Sequence, residues 1–143
     1  MFSYVLEFHP EAKESPAHFK ATLTNVTTND LEVQVNDKAF HSTLEITGKS
    51  EKKIEAFIKR YRDLLLTSTW FEPVVTIQSK KSITWTVPLT SLLTLHGDEV
   101  THDLLAGRQV VSEMVMAVVP QAGSSISDNA VQRSKPITIQ PKG

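Results

Sequence analysis

The sequence predicts an α+β domain that is mostly antiparallel β, a β-barrel or β-sandwich with an OB-like order among the alternatives. It carries one amphipathic helix near residues 51–66 and a C-terminal arm. Three observations predict this. Apolar and polar residues alternate through most of the chain, the period changes once to that of a helix, and beyond Pro120 the composition becomes polar and loop-like.

The first strand is expected where Phe2, Tyr4, Leu6 and Phe8 fall on one face and Ser3, Val5 and Glu7 on the other. Pro10 and Pro16 bracket a polar connection, after which Phe19, Ala21 and Leu23 repeat the alternation. Asn29-Asp30 makes a turn before Leu31, Val33 and Val35, and Asn36-Asp37-Lys38 makes another before a strand over Phe40 to Thr47. The helix follows. Ser50 is a suitable N-cap, Glu51 suits the positive end of the helix dipole, and Ile54, Phe57, Ile58, Tyr61, Leu64 and Leu65 recur at helical spacing. Thr67-Ser68-Thr69 and Pro73 end it.

Strands resume at Val74 to Gln78 and Ser82 to Val87, joined by Ser79-Lys80-Lys81 as a hairpin. Between Leu89 and Leu104 the spacing suits either a short helix or two strands joined at His96-Gly97-Asp98-Glu99. The Thr-rich flanks and the Gly-Asp turn favour strands. Val110 to Val119 is apolar at both periods, and its β-branched residues and terminal Pro120 mark a strand buried on both faces, with Met114 and Met116 as core filler. Residues 1–120 therefore read as one strand-rich domain and 121–143 as an extended tail. Pro136, Ile137, Thr138 and Ile139 are the part of that tail able to add an edge strand to another sheet.

The 143-residue chain has no cysteine, which excludes disulfides, Cys-ligated zinc and thiol catalysis. No Gly-rich phosphate loop and no GxSxG frame is present, so no cofactor and no enzyme class is implied. The densest polar cluster holds His96, Asp98 and His102. Imidazole and carboxylate are the right donors for a divalent metal in a hydrolase, but the six-residue histidine spacing is neither a helical clip nor a finger pair, and a solvated loop tip explains the composition better. Asn25-Val26-Thr27 matches a glycosylation sequon, which means little without a secretory signal. No signal peptide and no membrane span is apparent, so the expected location is cytoplasmic.

The formal net charge of −1 hides an uneven distribution. Residues 1–48 carry 3 basic and 7 acidic groups, residues 49–81 carry 8 and 4, and residues 82–143 carry 4 and 5. The basic block includes Lys52, Lys53, Lys59, Arg60 and Arg62, with Lys80 and Lys81 at the next turn and Trp70 and Phe71 close by. An OB-like domain would use such a set to hold single-stranded nucleic acid by phosphate contact and base stacking. A solvated helix face is the plainer account of the same charges. An acidic first third and a basic middle third also suit self-association, and this reading uses the arm, the strand edges and the lack of catalytic motifs together. The leading expectation is thus a non-enzymatic structural or interaction protein. It forms a homo-oligomer or larger protein assembly, with a virus or phage particle as one setting, through strand edges and an arm that orders on a neighbour.

Overall fold

The computed structural model describes residues 2–34, 43–48, 52–58, 74–118 and 129–142. Strands β1 (Phe2–His9) and β2 (His18–Asn25) form where the alternation predicts them. Tyr4, Leu6, Phe19, Ala21 and Leu23 turn inward and are buried, while Ser3, Val5 and Glu7 face solvent. Next come β3 (Leu31–Gln34), β4 (Thr43–Thr47), β5 (Ile54–Ile58), β6 (Val74–Ile77) and β7 (Ser82–Pro88). A 3₁₀ turn (Leu89–Ser91) leads into β8 (Leu92–Thr94), the short helix α1 (His102–Leu105), β9 (Gln109–Val118), β10 (Asn129–Arg133) and β11 (Ile137–Thr138).

Two open antiparallel sheets share one core. The smaller has the order β1-β2-β7, and the larger runs β6-β3-β9-β4-β5-β8, with β10 and β11 also on β9. Among the described residues neither sheet closes into a barrel. Phe19, Leu23 and Val87 from one sheet meet Ile46, Val110 and Met114 from the other. β9 is the spine of the larger sheet. It pairs with β3 and β4 along one edge and with β10 and β11 along the other. Both of its faces are covered where Val110 and Val111 lie, as its continuous apolar run predicts.

The expected helix over 51–66 is corrected where it can be seen. Ile54–Ile58 is a strand, pairing Ala56 with Leu44 on one side and with Thr94 on the other. The physical reason is that Ile54, Ala56 and Ile58 also satisfy a period of two, and an open edge of β4 on one side and β8 on the other supply ladder bonds that a lone helix would not have. Residues 59–66 lie outside the described residues. The segment from Leu89 to Leu104 also departs from two strands. It makes a 3₁₀ turn, one three-residue strand and one helical turn capped by Thr101, whose Oγ1 accepts from the Leu104 amide at 3.1 Å.

A second correction concerns the hairpin. β6 and β7 are joined at Ser79-Lys80-Lys81 yet do not pair with each other: β6 pairs with β3 and β7 with β2. A long ribbon, β2 to β3 against β7 to β6, bends across a corner from one sheet to the other. Lys80 takes a positive φ of 62° in the tight turn closed by the Lys81 amide on the Gln78 carbonyl. Asn25 pins the corner. Its side chain is fully buried, donates from Nδ2 to the Asn29 and Ile77 carbonyls at 2.8 Å each, and accepts at Oδ1 from the Thr27 amide and hydroxyl. The sequon-like Asn25-Val26-Thr27 is thus the frame of a turn, with its amide sealed away from any modifying enzyme in the folded state.

The two sheets are also joined through Tyr4 of β1, whose hydroxyl shares a 2.7 Å hydrogen bond with Ser112 of β9. Burial pushes the Tyr4 phenol up to about 12, the bond to Ser112 offsetting part of the effect. Among the described residues, no helix is long and apolar enough to cross a membrane.

Candidate functional site

The C-terminal residues expected to reach a neighbour are placed on their own chain. Ile137 pairs with Val110 and Thr138 with Gln109. Ile139 is fully buried in the core, its amide donating to the Arg108 carbonyl while its own carbonyl accepts from Gly107. Pro136 lies exposed between β10 and β11. Ionic contacts hold the same segment. Arg133 reaches Glu45 of β4 and, at 3.0 Å, Glu113 of β9, while Lys53 approaches the other Glu45 oxygen at 3.0 Å. The Arg133 guanidinium, followed by Lys53, holds the Glu45 carboxyl below its ordinary value. A depressed carboxylate contributes stability that is present in full above its unfolded value of 4.5 and is lost as pH falls through the folded one. Arg133→Ala is therefore expected to lower the urea midpoint at pH 7, and the difference from the parent chain should narrow at an acid pH below 4.5. A gap of equal size at both pH values would show that Arg133 acts through packing instead.

The C-terminal segment also closes a crevice of about 580 Å³ whose walls include Leu6, Phe8, Glu11, His102, Ile137 and Lys142. His102 stands edge-on to Phe8, ring centroids 5.1 Å apart, and its Nε2 donates to the Gln140 carbonyl at 2.8 Å. Glu11 and Lys142 pair across the mouth at 3.5 Å. The imidazole nitrogen nearest a partner is thus committed to holding the chain terminus, and the two charged groups are committed to each other. That arrangement fastens the C-terminal segment.

His96 and Asp98 sit elsewhere, exposed on the turn in which Gly97 adopts a φ of 91° and donates to the Thr94 carbonyl. No three metal-ligating side chains converge among the described residues. Of the nine residues expected at a nucleic-acid surface, Lys59, Arg60, Arg62, Trp70 and Phe71 lie outside the described residues. The other four do not form one patch. Lys52 and Lys53 precede Ile54, which aligns through Ile46 with Val110 near the start of β9. Lys80 and Lys81 follow β6, which aligns through β3 with Val118 at the end of β9. The ten-residue strand separates these ends by roughly 30 Å. Lys53 is paired with Glu45, and Lys80 donates from Nζ to the Val26 carbonyl at 2.6 Å.

The feature that stands out is the outer edge of β7. Among the described residues no strand pairs with it, and its sequence Ser-Ile-Thr-Trp-Thr-Val-Pro contains no charge. Sheet edges are ordinarily protected by a lysine, a bulge, short length or a covering loop. β7 has seven residues and only its terminal Pro88 as protection, whereas β6, β8, β10 and β11 at the edges of the larger sheet have four, three, five and two. The β1 edge of the smaller sheet lies against β10 and β11.

The backbone groups on that edge can be assigned. The Asn25 amide donates to the Lys81 carbonyl and the Leu89 amide to the Ala17 carbonyl. In an antiparallel ladder hydrogen-bonded pairs alternate, so Ile83, Trp85 and Val87 direct their amides and carbonyls to β2. Ser82, Thr84 and Thr86 therefore direct theirs outward. Their side chains line the solvent face, where Ser82 bonds Thr24 at 2.6 Å, while Ile83 and Trp85 remain half-buried against the core and Trp85 stacks on Tyr4. The alternation within β7 was legible in the sequence. Its edge position was not, because the apparent hairpin gave it β6 as a neighbour.

These features define an antiparallel two-sheet domain in which one long, uncharged strand edge has no partner strand among the described residues. No family model matches the chain, nor does any curated protein or solved structure.

Proposed function

We propose that the chain is a non-enzymatic assembly protein, a strand-rich subunit of the sandwich type that self-associates by adding strand to strand. The observation that carries this reading is the uncharged seven-residue edge of β7, which no strand pairs among the described residues, because outward amides and carbonyls along an uncharged strand are a template for another strand. The C-terminal arm no longer serves as the linking device in this reading, since Ile139 fills its own chain's core. The single-stranded nucleic-acid alternative lacks comparable support, because its describable lysines stand at opposite ends of the larger sheet. The test is native mass by light scattering and sedimentation over a hundredfold range of concentration. A dimer or larger species that dissociates on dilution is the expected result. A chain of 15.9 kDa mass at every concentration overturns the reading.

A further inference from the structure

We infer that the β7 edge takes a second copy of this chain, paired antiparallel about a twofold axis at Thr84. This rests on the self-association just proposed and specifies its geometry. The three residues that direct backbone groups outward are Ser82, Thr84 and Thr86, which are evenly spaced about Thr84. A twofold axis there sets Thr84 opposite Thr84 of the second copy and Ser82 opposite Thr86 of the second copy, so that each outward amide meets an outward carbonyl. The smaller sheet becomes one continuous sheet of twice its three strands.

Side chains agree with this register on both faces. On the inner face, Ile83 comes opposite position 85 of the second copy, and the pairing covers Ile83, which the monomer leaves half-exposed. On the solvent face, the hydroxyl contacts of Thr24 with Ser82 and of Thr22 with Thr84 extend into the second copy's Ser and Thr residues. Charge selects the direction. Antiparallel pairing puts Lys80 and Lys81 opposite Pro88 and Val87, whereas parallel pairing would put lysine opposite lysine.

The test uses the full chain and its lack of cysteine. Thr84→Cys should give a disulfide-linked dimer under mild oxidation, because facing residues in a hydrogen-bonded pair have Cα atoms about 5.5 Å apart, within reach of the bond. Thr76→Cys, exposed on β6, should not. Thr84→Pro removes an outward amide that β2 does not use, and Thr84→Lys opposes two like charges at the axis; each should convert the dimer to monomer with an unchanged circular dichroism spectrum. An oligomer that keeps its mass in both variants, or that cross-links through Thr76→Cys and not Thr84→Cys, overturns the β7 interface while leaving self-association standing. A parent chain that is monomeric throughout overturns both.

Discussion

Replacing Asn25 by alanine is expected to lower the free energy of unfolding by about 3 kcal/mol, a large share of a small domain's stability. The amide makes four hydrogen bonds at a fully buried site, two of them to carbonyls of separate segments, Asn29 in the turn and Ile77 in β6. Alanine takes the side-chain partner from the Ile77 carbonyl and the Thr27 amide, while the Asn29 carbonyl keeps the Thr27 hydroxyl at 2.9 Å, and each buried group left unpaired costs about 1–3 kcal/mol, softened where water enters. The loss should appear as a lower urea midpoint with an unchanged slope. Asn25→Asp should be worse than its near-identical shape suggests, because a carboxylate has no hydrogen to give to the two carbonyls. A loss below about 1 kcal/mol for alanine would mean that the corner is held mainly by the neighbouring backbone bonds of Lys80 and Lys81.

Ile139→Ala is expected to destabilise by about 2–5 kcal/mol, the range for removing a large aliphatic side chain from a packed core. Ile139 has no exposed surface and sits only four residues from the last residue of the sequence. A tail reading predicts almost no effect, so the measurement discriminates sharply. Val131→Ala, on the exposed face of β10, is the matched control and should change stability by no more than about 0.5 kcal/mol. Equal small effects at both positions would return residues 129–142 to the role of a loosely held arm.

The two predictions mark where reading the chain succeeded and where it stopped. β1 and β2 are legible because each buries one face, so every second residue reports its environment. β9 is legible because both faces are covered and its run is apolar throughout. Ile54–Ile58 reads as helix because Ile54, Phe57 and Ile58 fit a period of 3.6 while Ile54, Ala56 and Ile58 fit a period of two, and alanine carries little weight in a hydrophobic pattern. Residues 129–142 read as a tail because they hold few apolar side chains. What orders them is β9's ladder, the reach of Arg133 to two carboxylates, and one isoleucine, none of which is local.

The candidate site shows the same division. Ser82, Thr84 and Thr86 alternate visibly with Ile83 and Trp85, and the lack of charge in β7 is plain in the letters. Whether such a strand is central or at an edge depends on which strands flank it, and the tight turn before it names the wrong neighbour. The lysines of the middle third looked like one surface because they are close in sequence, while register separates Lys52 and Lys53 from Lys80 and Lys81 by the length of β9.

By itself the sequence determined that this is a cysteine-free, mostly antiparallel β chain, and it determined which face of β1, β2 and β7 is buried. Those properties follow from side-chain chemistry at a fixed local period. Only the tertiary structure decided that β6 and β7 belong to different sheets, that the C-terminal segment completes its own core, and that β7 has no partner strand on its outer edge among the described residues. Pairing partners are chosen by long-range competition among strands of similar local character, and that competition leaves no periodic trace in the chain.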